Sequence, residues 1–285
     1  MPAPRLLHIS VRGLNFAVWE WPGDDPPVLL VHATGFHGRI WDQSIRQLTG
    51  RHAFAIELRG HGRSSKPEPP YHWKEFGLDV SSIADVLKID DAIGVGHSTG
   101  AHALVRAVAE RPSTCAALML IDPTIFPHEF YGAYAGDSSF IARRRNVWQS
   151  PEEMFERFRD RVPFSTWQPD VLHDYCEFGV LPRDGEYVLA CHPDIEADIY
   201  KHANEPESDI YDLVSGVRQP VTVMRGGIPW IPGIFNLDAS PTAPDLASRF
   251  PTGRDLLLEG RTHYIPMESP EMVAEEIRRT LTPHA

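Results

Sequence analysis

Short apolar runs alternate with longer amphipathic segments along most of the chain. Residues 28–31 and 116–121 are continuously apolar, which is typical of strands that are buried on both faces of a sheet. Residues 79–87 and the stretch after residue 100 have the pattern of helices that follow such strands. This alternation predicts an α/β fold with a doubly wound, mostly parallel sheet.

The two ends of the chain extend the same pattern. Residues 6–11 and 16–21 are predicted to pair as a hairpin, and the turn-forming residues 22–26 end it. A helix is predicted over 270–281 at the other end. The remaining predicted elements are a helix over 40–48 and strands over 53–58, 91–95, 221–224 and 256–259.

The alternation of strands and helices stops after residue 122 and returns near residue 218. Within this stretch Ser150 is predicted to cap a helix, because Pro151 follows it and Glu153 stands three residues on. The stretch is also rich in aromatic residues. Its other predicted helices cover 171–178 and 195–203. The predicted organisation is a core made of 1–122 and 218–285 with a mostly helical insertion, 123–217.

Composition and charge narrow the class of protein. The chain has 285 residues, of which 42% are hydrophobic and 23% charged, as in an ordinary globular protein. Its formal net charge is −12, so we expect neither nucleic acid nor an anionic membrane as a partner. Its three cysteines indicate neither a disulfide framework nor a zinc pattern. Because neither a signal peptide nor a membrane span is recognisable, we expect a cytoplasmic protein.

The pentapeptide GHSTG, residues 96–100, follows a predicted strand and precedes a predicted helix. A Gly-x-Ser-x-Gly turn in this setting is the nucleophile elbow of serine hydrolases. Glycine lets the chain bend sharply, and Ser98 would stand at a helix N-terminus, where free N–H groups favour negative charge. Because three fixed positions occur by chance in about one chain in ten of this length, the neighbouring motifs decide what the pentapeptide means.

Four motifs in this order resemble the α/β-hydrolase superfamily, and the resemblance covers nearly all of the chain. They are VLLVHATGF at 28–36, RGHGRSS at 59–65, GHSTG at 96–100 and EGRTHYIPMESPEMV at 259–273. The resemblance implies the α/β-hydrolase fold, with the helical insertion as a lid over Ser98. It also implies a serine hydrolase, with lid aromatics available to line an apolar substrate pocket.

A serine hydroxyl needs a positioned base, and His263 is the candidate for that role. It follows an apolar strand in the fourth motif, so its side chain can reach the carboxyl edge of the sheet. Two backbone N–H groups are predicted to form the oxyanion hole: that of Thr99, after the nucleophile, and, by the resemblance, that of Thr34. The chain has Ala33 where the family usually has glycine, which predicts a slightly different loop path.

Two residues are candidates for the acid of the triad, which fixes the tautomer of the base and stabilises its charged form. In the resembling family the acid usually follows the strand that is here 221–224, but the next acidic residue is Asp238. Some members carry it instead after the strand that follows the elbow helix, where Asp122 stands, 24 residues beyond Ser98. We favour Asp122, because a strand end and Pro123 hold it in place, and keep Asp238 as the alternative.

The predicted activity is that of a carboxylesterase-like serine hydrolase, which cleaves esters or lactones through an acyl-enzyme at Ser98. The predicted partner is a small ester-like molecule, and the reaction needs neither a cofactor nor a metal. A C–C bond or amide hydrolase would use the same triad, and a non-catalytic ligand receptor could share the scaffold. Epoxide hydrolases and haloalkane dehalogenases of this fold need an Asp nucleophile where this chain has serine. Analogy of fold does not name the substrate.

Overall fold

A computed structural model describes residues 3–132, 138–231, 234 and 236–281. Its strands are β1 (Arg5–Val11), β2 (Leu14–Trp21), β3 (Asp24–Val31), β4 (Arg51–Ile56), β5 (Ala92–His97), β6 (Cys115–Ile121), β7 (Val147–Trp148), β8 (Val180–Arg183), β9 (Glu186–Leu189), β10 (Val221–Gly226) and β11 (Gly253–Leu258). Eight of them form one sheet in the order β1-β2-β4-β3-β5-β6-β10-β11. Its β1–β2 and β2–β4 pairs are antiparallel and its other pairs are parallel, which confirms the predicted doubly wound, mostly parallel sheet.

Helices pack on both faces of this sheet. Leu29 and Val31 of β3 share one buried cluster with α2 and α3, while Val28 and Leu30 share the other with α1 and α10. Within the described ranges, every helix is too short or too polar to span a lipid bilayer. The helices are α1 (Asp42–Arg46), α2 (Trp73–Leu87), α3 (Thr99–Glu110), α4 (Pro151–Phe158), α5 (Pro169–Phe178), α6 (Pro193–Lys201), α7 (Tyr211–Val214), α8 (Leu246–Arg249), α9 (Ile265–Glu268) and α10 (Pro270–Leu281).

The segment between β6 and β10 contains α4 to α7 and a second, antiparallel sheet in the order β7-β9-β8. The prediction of a mostly helical insertion omits this sheet, because strands of two to four residues are too short to show a period-2 pattern. The predicted helix cap is present, since Ser150 Oγ accepts a hydrogen bond from the Glu153 N–H at 3.1 Å.

The two largest errors in the predicted boundaries concern the starts of α2 and β3. Helix α2 begins at Trp73 rather than at residue 79, because Trp73 and Phe76 continue its buried face by more than a turn. Strand β3 begins at Asp24, inside the segment predicted as a turn, because Asp24 pairs with Arg51 of β4 ahead of a shift in register. In both cases tertiary packing extends an element beyond its local pattern.

Among the residues that the structure describes, five histidines are at most 1% exposed: His32, His37, His61, His97 and His102. Burial penalises the charged imidazolium, so it lowers the pKa of His32 and of His102 to about 4 and that of His37 to about 3. The same desolvation brings the pKa of His61 and of His97 well below the usual value. All five are therefore neutral in the folded protein near pH 7.

We predict that stability falls steeply as the pH decreases from about 6.5 to about 4. In this window the unfolded chain binds protons on histidines that stay neutral when folded, so acid favours unfolding. Each such histidine contributes a slope of about 1.4 kcal/mol per pH unit. Urea unfolding across this range measures the slope, and His102→Gln should reduce it by about the contribution of one histidine. A profile that is flat down to pH 4 would contradict the prediction.

Candidate active site

Ser98 lies in a sharp turn between β5 and α3. Its backbone has φ 55° and ψ −119°, a conformation that residues other than glycine rarely adopt. Glycines on either side make room for the turn, since a Cβ on Gly96 would lie 2.6 Å from the Ala101 backbone and one on Gly100 2.3 Å from the Val31 carbonyl oxygen. Helix α3 can therefore start directly against the ends of the strands, with Ser98 at its N-terminus.

The imidazole of His263 meets the carboxylate of Asp122, 141 residues away in the chain, with Nδ1 2.6 Å from Oδ2. Asp122 directly follows β6, and His263 lies in the loop between β11 and α9. Both come from the carboxyl ends of parallel strands, where such sheets place their sites. The side chain of Asp122 is fully buried and that of His263 is 12% exposed. His97 Nε2 donates to the His263 carbonyl oxygen at 2.9 Å, which anchors the loop.

Three further donors fix the orientation of the Asp122 carboxylate. Its Oδ1 accepts hydrogen bonds from Ser240 Oγ at 2.5 Å, from the Gly226 N–H at 2.9 Å and from Thr242 Oγ1 at 3.4 Å. The backbone of Asp122 has φ 43°, in the left-handed region. With Oδ1 held in this way, Oδ2 is directed to His263.

The alternative acid, Asp238, contacts His263 through its backbone. Its carbonyl oxygen accepts a hydrogen bond from the His263 N–H at 2.9 Å. Partial burial and the neighbouring charge of Glu268 raise the pKa of the Asp238 carboxyl. In the part of the chain that is described, the carboxylate bonded to the His263 ring is therefore that of Asp122.

The Ser98 hydroxyl bonds to Thr124 Oγ1 at 2.9 Å. The Thr124 N–H also donates to the Ser98 carbonyl oxygen at 3.3 Å. Among the described residues no hydrogen bond joins Ser98 Oγ to His263. Such bonds are often long or misaligned before substrate binds. Because either hydroxyl can be the donor in the Ser98–Thr124 bond, Ser98 Oγ can accept from Thr124 and keep its own hydrogen available to an imidazole.

The two residues predicted to form an oxyanion hole are neighbours, with their Oγ1 atoms 2.6 Å apart. Thr34 follows β3, and Thr99 is the first residue of α3. Over the described residues neither backbone N–H donates a hydrogen bond, whereas the N–H of Gly35 donates to His61 Nε2 at 3.0 Å. Two free donors therefore lie close to Ser98.

A pocket of about 180 Å³ opens beside Thr34. An ion pair lies in its wall: the guanidinium of Arg144 contacts Glu196 Oε2 and also donates to the Tyr175 hydroxyl at 3.3 Å. Burial raises the pKa of Glu196, and Arg144 opposes that rise. The remaining walls are largely aromatic, as the lining residues Phe36, Phe140, Phe164, Trp167 and Tyr264 illustrate.

Sequence reasoning missed five polar residues at this site. Thr124 stands two residues after Asp122, so its place at the same strand end is readable from the sequence. The other four come from loops and helices distant in the chain, and no spacing links them to the other site residues: Ser240, Thr242, Arg144 and Glu196. Only the fold brings them here.

Comparison with known proteins identifies the family to which the fold belongs. A model of the alpha/beta hydrolase family matches residues 28–276. The chain is 25% identical over 257 residues to a 2-(acetamidomethylene)succinate hydrolase of Mesorhizobium japonicum. The matched region covers 90% of this chain and 87% of that relative.

Solved structures share the fold. A crystal structure of E-2-(acetamidomethylene)succinate hydrolase superposes with a TM-score of 0.81 at 22% identity, over 98% of this chain and 99% of the other. An N-formylmaleamic acid deformylase of Pseudomonas putida superposes with a TM-score of 0.71 at 17% identity, over 95% of this chain and all of the other. At these identities the likeness shows the fold alone.

Proposed function

This chain belongs to the alpha/beta hydrolase family, which supports a hydrolase activity, and we propose that it is a serine hydrolase of small carboxylic esters or lactones. One observation carries the proposal. The ring of His263 is hydrogen-bonded to Asp122, a buried carboxylate that accepts four hydrogen bonds in all. Ser98 lies on its strained turn at the same edge of the sheet. A histidine held in this way is equipped to act as a base.

In the proposed reaction, His263 takes the proton of Ser98 while the serine oxygen attacks the substrate carbonyl. The N–H groups of Thr34 and Thr99 bind the oxyanion that forms. Asp122 stabilises the imidazolium and keeps Nδ1 protonated. His263 then protonates the leaving alcohol, and a water molecule, activated by the same ring, releases the acid from Ser98.

We further propose that the segment between β6 and β10 is a lid and that its pocket receives the acyl part of the substrate. The segment supplies much of the aromatic wall beside Thr34. The contacts of Arg144 with Glu196 and Tyr175 engage two of the five N–H donors of a guanidinium. A carboxylate or carbonyl oxygen at the far end of the acyl group would accept a further one. The relative that matches 90% of this chain is named for a substrate that carries carboxyl groups, which supports recognition of a carboxylate on the substrate.

Hydrolysis of an amide is the second candidate, because the same three residues would serve it. One observation favours it: the relative that matches 90% of this chain is named for a substrate with an acetamido group. Parallel assays of an ester and an amide with the same acyl group decide between the two candidates.

We expect p-nitrophenyl acetate to give a burst of nitrophenol followed by slower turnover, because an acyl-enzyme accumulates at Ser98. A fluorophosphonate should label Ser98, as shown by peptide mapping. Ser98→Ala should abolish both signals, while Ser82→Ala, a serine on α2 bonded to the Leu78 carbonyl, should keep them. An active, labelled Ser98→Ala protein would refute the proposal.

Asp122→Asn should reduce kcat by about 10⁴-fold, because the amide no longer fixes the reactive tautomer of His263. Asp238→Asn should stay within about threefold of the wild type, since it is the Asp238 backbone that is hydrogen-bonded to His263; that bound is far smaller than the tautomer effect. Steady-state kinetics on both variants, with thermal unfolding as a check of folding, gives the comparison. The reverse order of effects would assign the acid to Asp238.

Arg144→Met should raise KM at least about tenfold for an ester with a terminal carboxylate on its acyl chain, because a charge-assisted hydrogen bond is lost. An ester with an apolar acyl chain of the same length should be far less affected. Since the single variant strands the Glu196 carboxylate, the double variant Arg144→Met, Glu196→Gln is the matched control. Equal losses for both esters would contradict an acid-binding role.

A further inference from the structure

Three side chains that can ligate a metal ion meet outside the candidate active site. His72 directly precedes α2, His202 directly follows α6, and Glu205 lies three residues further on. One ligand atom from each lies within 4.8 Å of the other two. The cluster joins the sheet core, through His72, to the segment between β6 and β10.

The distances approach those of a coordination sphere. His72 Nδ1 lies 3.4 Å from Glu205 Oε2, and His202 Nδ1 lies 2.6 Å from Glu205 Oε1. Ligand atoms around a tetrahedral Zn²⁺ are separated by about 3.3–3.5 Å, given bond lengths near 2.0–2.2 Å. The first pair already matches this separation, and the second needs to open by less than about 1 Å to admit the ion.

A second carboxylate stands behind His202. Asp198 Oδ1 is 3.5 Å from His202 Nε2, and Asp198 Oδ2 accepts a hydrogen bond from the Tyr71 N–H at 2.7 Å. The His202 side chain is 8% exposed, and its buried Nε2 has no hydrogen-bond partner in the described part of the chain. Histidines that bind metals usually present their other nitrogen to a carboxylate in this way, which fixes the ring and its tautomer.

A neutral His202 ring cannot donate a hydrogen bond to both of the carboxylates beside it. A neutral imidazole has one N–H, yet both ring nitrogens face carboxylates, Glu205 on one side and Asp198 on the other. If Nε2 carries the hydrogen toward Asp198, the lone pair of Nδ1 points at an oxygen of Glu205. A cation between Nδ1 and Glu205 resolves this conflict, and an imidazolium would resolve it without an ion.

We propose that His72, His202 and Glu205 bind one Zn²⁺ ion, with water as the fourth ligand and Asp198 as the carboxylate that orients His202. Two imidazoles and one carboxylate suit Zn²⁺, whereas Mg²⁺ and Ca²⁺ prefer oxygen ligands alone. The ion fastens the end of α6 to the start of α2, where the Trp73 Nε1–H already donates to the Ile199 carbonyl at 2.8 Å. The sequence gives no sign of this site, because 130 residues separate His72 from His202.

The test is a Zn²⁺ titration of untagged, chelator-treated full-length protein, followed by calorimetry and by competition with a chromogenic zinc chelator. We expect one Zn²⁺ per chain and a rise in the midpoint of thermal unfolding. His72→Gln and Glu205→Gln should each weaken the affinity at least about tenfold and remove the thermal shift, while Mg²⁺ should not compete.

The matched control is His128→Gln. His128 is also paired with a carboxylate, that of Asp209 at 2.8 Å, but lies outside the cluster, so its loss should leave zinc binding unchanged. Glu205→Gln keeps the shape of the side chain and guards against a folding defect in His72→Gln. Absence of zinc binding would overturn the proposal, and so would binding that survives both cluster variants, because the zinc would then lie elsewhere. Neither readout depends on catalytic activity.

Discussion

The bond between Asp122 and His263 is the contact on which the candidate site depends. It joins the end of β6 to the loop after β11, across β10. A buried carboxylate is costly unless donors surround it, and Asp122 has four: the imidazole, two hydroxyls and one backbone N–H. These donors come from three separate stretches of chain. The carboxylate can therefore be buried with its partners only when several segments are correctly placed together: the ends of β6 and β10, the loop after β11 and the loop that bears Ser240.

Two residues at the carboxyl edge of the sheet have strained backbone conformations, and the paired strands before them hold these conformations in place. Ser98 and Asp122 both have positive φ values, although neither is a glycine, and such conformations persist only where the surroundings fix them. Ser98 follows β5 and Asp122 follows β6, which are paired neighbours in the centre of the sheet. Thr124 links the two positions, since it stands two residues after Asp122 and bonds to the Ser98 hydroxyl. The hydroxyl of Ser98 and the ring of His263 are thus each hydrogen-bonded to a residue at the end of β6.

The segment between β6 and β10 meets the core in two chemically different ways. Beside Thr34 it contributes aromatic rings and the Arg144–Glu196 pair to a pocket. At α2 it contributes His202 and Glu205 to a seam of polar contacts. The aromatic contacts leave a space that a small molecule can fill, whereas the polar seam is directional and fixes the position of α6. The same segment can thus be held firmly at one end while it shapes a cavity at the other.

The sequence by itself determined the features that depend on local pattern. The apolar runs predicted the parallel sheet, the Ser150 cap predicted the start of α4, and GHSTG placed Ser98 between a strand and a helix. These succeed because strand burial, helix capping and tight turns are governed by residues within a few positions of each other. The start of α2 and the strands β7 to β9 did not follow from the local pattern, since packing partners far away in the chain define them.

Only the tertiary structure decided which carboxylate reaches the ring of His263. Asp122 and Asp238 both stood in the chain order that a triad allows, and the sequence could only favour one of them. The carboxyl ends of parallel strands converge in space whatever their separation in the chain, and this convergence brings Asp122, Ser240 and His263 together. The same reason explains why the Arg144–Glu196 pair and the cluster of His72, His202 and Glu205 have no signature in the sequence: a contact over 50 or 130 residues leaves no local pattern to read.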